Sequence, residues 1–309
     1  MKVNKLQHVL AILVISIGFI GVFVLSNFIT NSRPPLPEGY EDQDLALQSA
    51  KIKDFSLGFN GLLADWYWMR SLKYLGEKIE KSPDQNINIQ NLRSLNPRLL
   101  YPLLDSATSL DPQYIAVYAY GAIVLPAIDD EQAIKITQKG IDNNPTQWRL
   151  YQHLGYIYWR LKNFEKAAET YDKGSKIAGA PPFMQLMVAQ MKNQGGSRET
   201  SRKIYEQMLA EAQDTQTKKS AEIYLLKLDS DDELDAIRPI LKSIKEKTGQ
   251  CLQNWNQLFP LLRNVKLPNG KDFRIDSANN LVDPSDTPYI LDSKNCDIKL
   301  SQNSTLPKF

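Results

Sequence analysis

The sequence predicts an all-α protein in which helical hairpins stack as a solenoid after one N-terminal transmembrane helix, with a small C-terminal module of a helix and a β-hairpin. Three observations predict this fold class: an uncharged apolar run near the start, a repeat with a period of 34 residues, and short segments broken by turns after Cys251. The chain has 309 residues, 42% of them hydrophobic, which is enough for a sizeable buried core.

The charge balance and the composition exclude several classes of function. Lys and Arg number 37 against 35 Asp and Glu, and Lys2 and Lys5 account for the whole excess. The rest of the chain, called the body below, therefore carries no net charge, which gives little counterion-release drive for binding nucleic acid. The chain has two histidines and two cysteines, too few for a four-ligand zinc site with paired spacing. Glycine-rich phosphate loops are absent as well, so we expect no metal and no cofactor.

The first element is a predicted transmembrane helix over 9–29, a run of 21 residues without a charge, close to the ~20 residues that span a bilayer. Lys2 and Lys5 precede it, so the positive-inside bias predicts that residues 1–8 are cytoplasmic and the body is extracytoplasmic, in a periplasm or lumen. A cleaved signal peptide is the alternative, but the run is long and no A-x-A-like site follows it. Residues 30–44, with three prolines, are predicted to form an extended tether.

The next region, 45–249, is predicted to be a helical repeat domain. Small residues recur at a spacing of 34, where helices must approach closely: Gly121 with Gly155, Ala133 with Ala167, and Gly140 with Gly174. The best repeats are predicted over 114–147, 148–180 and 181–214. One hairpin cannot bury its apolar face alone, whereas stacked neighbours form a continuous core.

The repeat over 148–180 carries a recognisable motif: Tyr151-x2-Leu154-Gly155-x2-Tyr158, then Ala167-x3-Tyr171, then Pro181. At these residues the chain resembles the tetratricopeptide repeat (TPR) family, and residues 57–76 resemble the start of a group of bacterial membrane-anchored TPR proteins. The resemblance implies that the first helix of each hairpin lines a concave groove that binds a protein partner. The groove residues it implies here are Tyr118, Arg149, Gln152, Tyr156, Trp159, Gln185 and Lys192.

Helices are also predicted on both sides of these repeats. Residues 62–79 and 99–109 are predicted to form an earlier hairpin, interrupted by a polar insertion. Residues 218–228 and 233–248 are predicted to form a closing helix pair, the second helix beginning at the acidic run 229–232.

The C-terminal module is predicted over 250–309, with a short helix at 252–262 and strands at 289–291 and 298–300. Asn269-Gly270 is a strong two-residue hairpin signal. A helix that ends at Thr248-Gly249, the short helix and the sequence Asp-Pro-x2-Thr-Pro-Tyr-Ile-Leu-Asp at 283–292 follow one another here. In these features about 40 residues resemble the C-terminal part of type II secretion pseudopilins.

Cys251 and Cys296 flank this module. If the body is exported, an oxidising compartment favours a disulfide between them, and closing a loop of this length is worth about 4 kcal/mol. Two separate buried thiols are the alternative.

The predicted function is a non-enzymatic, membrane-anchored scaffold that helps to assemble or organise a membrane or envelope complex. No catalytic residue is nominated, since His153 has no nearby Ser or Cys with an orienting acid in the sequence, and Asp65 is expected to hydrogen bond to backbone. The alternatives are an assembly factor for a photosynthetic complex, and an extracytoplasmic secretion-related or enzymatic component that uses the C-terminal module.

Overall fold

The computed structural model describes residues 5–32, 58–83 and 87–308, and it divides into two units, Met1–Ala46 and Leu47–Phe309. In the first unit, helix α1 covers Lys5–Ser32. Its segment Ile12–Ile29 has a mean hydropathy of 2.5 and is long and apolar enough to cross a membrane. Helix α1 extends past both ends of the predicted span, and the predicted tether lies outside the described residues after Ser32.

The second unit is a solenoid of helices, as predicted. Each helix packs against the next along the chain, and α3 also packs against α5 and α4 against α6. This pattern of neighbours is that of hairpins stacked side by side. The helices are α2 Asn60–Glu80, α3 Leu100–Leu110, α4 Ile115–Val124, α5 Asp130–Asn143, α6 Trp148–Arg160, α7 Phe164–Ser175, α8 Phe183–Gln194, α9 Arg198–Glu211 and α10 Thr215–Thr248.

The repeated small residues lie where helices touch. A Cβ added to Gly155 on α6 would lie 2.7 Å from the ring of Tyr171 on α7. A Cβ on Gly174 would lie 2.6 Å from Met184 and 2.7 Å from Tyr151. Any larger residue at these positions would push the helices apart. The close contacts predicted from the period of 34 are therefore confirmed at these glycines.

The predicted closing helix pair is wrong, because α10 is one continuous helix of 34 residues. The acidic run lies in its interior, where the carboxylates of Asp229 and Asp232 receive ion pairs from Arg198 and Arg202 of α9. These contacts remove the repulsion that would favour a break. The helix ends at Gly249, whose φ of 71° is a left-handed conformation that suits glycine.

The C-terminal module consists of short elements. A 3-10 turn at Trp255–Gln257 leads into α11, Phe259–Leu262, so the predicted helix over 252–262 is α-helical only at its end. Two antiparallel pairs follow, which join β1 (Arg274–Ile275) to β2 (Leu281–Val282) and β3 (Ile290–Asp292) to β4 (Asp297–Lys299).

The hairpin of β3 and β4 is confirmed within one residue of the predicted strands. Asn269-Gly270, in contrast, forms a turn ahead of β1 and does not connect paired strands. The connection between β1 and β2 is made by the turn that begins at Asp276, whose carboxylate accepts the backbone N–H groups of Ala278 and Asn280.

An apolar cluster joins the module to α10. Leu234, Ile237 and Leu241 on α10 pack with buried residues of the module that include Leu281 and Tyr289. The module therefore covers one face of the last long helix.

Candidate protein-binding surface

One exposed face of α6 carries four of the predicted groove residues. Arg149, Gln152, Tyr156 and Trp159 follow one another at intervals of three or four residues, so they share a face. Tyr156 is 47% and Trp159 36% exposed, Arg149 is exposed, and Gln152 is half-buried. The opposite face is buried in the solenoid. The helix thus fixes these side chains on a rigid support.

At the C-terminal end of α6, this face meets the end of α8. The rings of Tyr156 and Trp159 lie 5.5 Å apart, and Trp159 Nε1 donates to Gln194 Oε1 over 2.9 Å. Lys192 Nζ forms an ion pair with Glu165 Oε1 at 2.7 Å. Gln194 and Glu165 were not predicted, because neither falls on the helical face that the repeat pattern marks; only the three-dimensional packing brings them to Trp159 and Lys192.

The N-terminal end of α6 presents a second group. The Arg149 guanidinium lies 4.7 Å from the centre of the Trp148 ring, as in a cation–π pair. Trp148 in turn contacts the ring of Phe183 at the start of α8, with centroids 6.1 Å apart.

Gln185, the remaining predicted residue of α8, lines a cavity of about 340 Å³. The end of α9 and the start of α10 complete its wall, with Met208 and Thr217 among the residues that line it.

Tyr118 does not belong to this surface, so its predicted role in the groove is wrong. It is fully buried, and a Cβ on Gly140 would lie 2.8 Å from its ring. Burial raises its pKa to about 12. Tyr118 packs against Gly140 in its hairpin as Tyr151 packs against Gly174 in the next. The period of 34, however, aligns Tyr151 with Val117 and not with Tyr118. Tyr118 and Tyr151 are 33 residues apart, so this packing position in α4 is shifted by one residue relative to the period of 34.

The six remaining residues, Arg149, Gln152, Tyr156, Trp159, Gln185 and Lys192, are called the α6–α8 surface below. It combines two exposed aromatic rings, two cations and two amides. Such a set offers apolar area and hydrogen bonds to another polypeptide.

The neighbouring His153 is half-buried, and burial lowers its pKa. A neutral imidazole is therefore the expected form at pH 7. Within the described residues no group of three or more His, Cys, Asp or Glu side chains could hold a metal ion.

In the C-terminal module, Cys251 and Cys296 are joined as a disulfide with their Cα atoms 5.0 Å apart. This separation lies within the usual range for a disulfide. The bond closes the segment that contains α11 and the strands β1, β2 and β3, and β4 begins at the residue after Cys296.

No family model matches the chain, and a search of curated proteins finds no match either. Among solved structures, the MamA protein is similar at 16% identity, over 67% of this chain and 96% of its own, with a TM-score of 0.32.

Two further structures are similar at the same level. A thermophilic TPR protein of Thermus thermophilus has 16% identity, over 58% of this chain and 97% of its own, with a TM-score of 0.33. Yeast Tom70 has 19% identity, over 71% of this chain and 48% of its own, with a TM-score of 0.36.

The contacts of the chain itself define its fold class. Stacked helical hairpins, with glycines at the crossings and a spacing of 34 residues, make this a helical-hairpin repeat protein. That arrangement is the one implied by the TPR resemblance of residues 148–180.

Proposed function

We propose that this protein is a non-enzymatic scaffold that binds a protein partner through the α6–α8 surface. One observation carries the proposal: Trp159 is exposed, yet its indole N–H donates a hydrogen bond to the Gln194 side chain. An aromatic ring that is ordered before binding loses little conformational entropy when a partner covers it. Tyr156 beside it extends the same apolar area.

We further propose that α1 anchors the scaffold in a membrane as a single-pass protein. Residues 1–8 then lie in the cytoplasm and the solenoid lies in a periplasm or lumen, in accord with Lys2 and Lys5 ahead of the apolar run. The disulfide is in accord with export, since such bonds persist in oxidising compartments. A bacterial envelope or membrane complex that needs assembly or organisation is the context we propose.

The partner site is tested by position-specific crosslinking in native membranes. A photo-crosslinking residue replaces Tyr156 in one chain and Glu169, an exposed residue of α7, in a control chain. We expect a discrete crosslinked protein at position 156 only.

A variant pair then tests the energetics. Trp159→Ala with Arg149→Ala should weaken binding of that partner by about tenfold or more, because interface aromatics and arginines carry much of the binding energy. The matched control, Glu169→Ala with Lys173→Ala, alters exposed side chains of α7 and should bind as wild type. If both pairs bind equally well, the α6–α8 surface is not the site.

A further inference from the structure

The start of α2 carries an apolar stripe that no part of the described chain covers. Phe59, Leu62, Trp66 and Met69 are 63%, 67%, 51% and 62% exposed. The spacing of Leu62, Trp66 and Met69 places them on one face of α2, and Phe59 is the N-cap residue that precedes the helix. The opposite face, with Ala64, Tyr67, Ser71, Tyr74 and Leu75, is buried, and α2 packs against α3. Four large exposed apolar side chains at the start of one helix mark an interaction surface.

The charges along this face are ordered. Arg70 and Lys73 follow the apolar stripe, and Glu77 and Glu80 come after them. The Arg70 guanidinium lies 5.2 Å from the centre of the Trp66 ring, and Lys73 pairs with Glu77 at 3.5 Å.

A helix whose first turns are inserted into a bilayer interface has the same order of apolar, basic and acidic residues. Apolar side chains reach the acyl chains, Trp and the basic side chains lie at the headgroups, and acidic groups remain in water. The apolar half of α2 contains one acidic residue, Asp65, and it forms a hydrogen bond with the phenol of Tyr114. The charge pattern therefore fits a lipid surface.

The position of the stripe in the chain also favours lipid as its occupant. Only the 25 residues 33–57 separate the end of α1 from Gly58, where the described chain resumes. Fully extended, such a linker spans about 85 Å. If α1 is an anchor, the bilayer is thus always within reach of α2 at a high effective concentration.

We propose that the first turns of α2 rest on the bilayer that holds α1, with Phe59, Leu62, Trp66 and Met69 below the headgroups and Arg70 and Lys73 beside the lipid phosphates. The inference rests on the proposed membrane anchoring. A second contact of this kind restricts how far the solenoid moves from the surface.

The test uses the full chain reconstituted in vesicles of phosphatidylcholine and phosphatidylglycerol. Leu62→Cys carries an environment-sensitive fluorophore, with Glu169→Cys on α7 as the control. Unmodified chain taken through the same labelling measures any reaction of Cys251 and Cys296. We expect the fluorophore at position 62 to shift to shorter wavelength and lose about half its emission or more to nitroxide-labelled lipids. The control position should show neither change.

A carbonate wash of the vesicles separates the two proposals. If the chain washes off, α1 is not an anchor, and the inference that rests on it is overturned too. If the chain stays but the fluorophore at Leu62 is quenched by aqueous iodide and not by lipid, only the inference about α2 is overturned. Shielding from both quenchers overturns it as well, because the stripe is then covered by protein.

Charge reversal provides the second arm. Arg70→Glu with Lys73→Glu should reduce the lipid quenching at position 62 in the anionic vesicles, and the reduction should be smaller in pure phosphatidylcholine. Equal lipid quenching of the labelled Leu62→Cys chain with and without Arg70→Glu and Lys73→Glu, in both kinds of vesicle, would refute the role given to these cations.

Discussion

Replacing Glu233 by glutamine should make the protein's stability less dependent on pH, because this carboxyl group is buried where α10 meets the C-terminal module. Glu233 is 4% exposed. Tyr289 Oη donates to Glu233 Oε2 over 2.6 Å, and Ser230 Oγ lies 2.9 Å from the same phenol oxygen. Burial raises the pKa of Glu233 to about 7, against the lowering effect of the Tyr289 hydrogen bond and the Arg274 charge.

The size and sign of the effect follow from the two pKa values. The unfolded chain has a carboxyl with a pKa near 4.5, and the folded chain holds its proton up to about pH 7. The folded state binds this proton more tightly, so its stabilising contribution is complete below pH 4.5 and is lost as pH rises to 7. The loss is about 1.4 kcal/mol per pH unit, or about 3 kcal/mol in total. The side chain of the Glu233→Gln variant cannot ionise, so that variant has no such loss.

The assay is urea unfolding of both chains, followed by far-ultraviolet circular dichroism in detergent. Between about pH 5 and about pH 8, the free energy of unfolding of the wild type should fall by about 2.5 kcal/mol relative to Glu233→Gln. His153, whose lowered pKa has the opposite effect on stability, is present in both chains and cancels in the difference. Parallel pH profiles would refute the assignment of a buried, protonated Glu233.

Two further changes test the solenoid and the module. Gly155→Ala should lower the free energy of unfolding, measured by thermal melts, by about 1–3 kcal/mol, because the added Cβ would lie 2.7 Å from the Tyr171 ring. The control is Gly76→Ala, whose added Cβ has nothing within 4 Å, and it should be neutral or stabilising in the same melts. Reducing the disulfide should cost about 2–4 kcal/mol, and Cys251→Ser with Cys296→Ser should reproduce that loss and abolish any further effect of reductant.

The contacts set by local spacing were predictable from the sequence. Gly155 and Gly174 mark helix crossings because a repeat forces the same close approach at the same position in each hairpin. An apolar helix at the start and a hairpin at the end also follow from short-range patterns.

Features that depend on distant partners were not predictable. The burial of Tyr118 depends on its packing against Gly140, a contact that the repeat spacing does not predict. The continuity of α10 depends on Arg198 and Arg202, which lie about thirty residues upstream of the carboxylates they pair with. A run of acidic residues viewed alone resembles a helix start, and its true setting appears only when α9 packs beside it.

The same acidic run explains how the C-terminal module is held. The Asp229 carboxylate forms ion pairs with Arg202 of α9, at 2.6 Å, and with Lys271 of the segment before β1, at 2.7 Å. One buried carboxylate therefore connects the last hairpin to the module. The apolar contacts of Leu234 and Ile237 act at the same junction. Deleting 250–309 would uncover these side chains and leave Asp229 with one partner fewer, and both changes destabilise the fold. Loss of partner binding after such a truncation would therefore not assign binding to the module. A point change at Trp159 removes none of these junction contacts, so it is the more direct test of the α6–α8 surface.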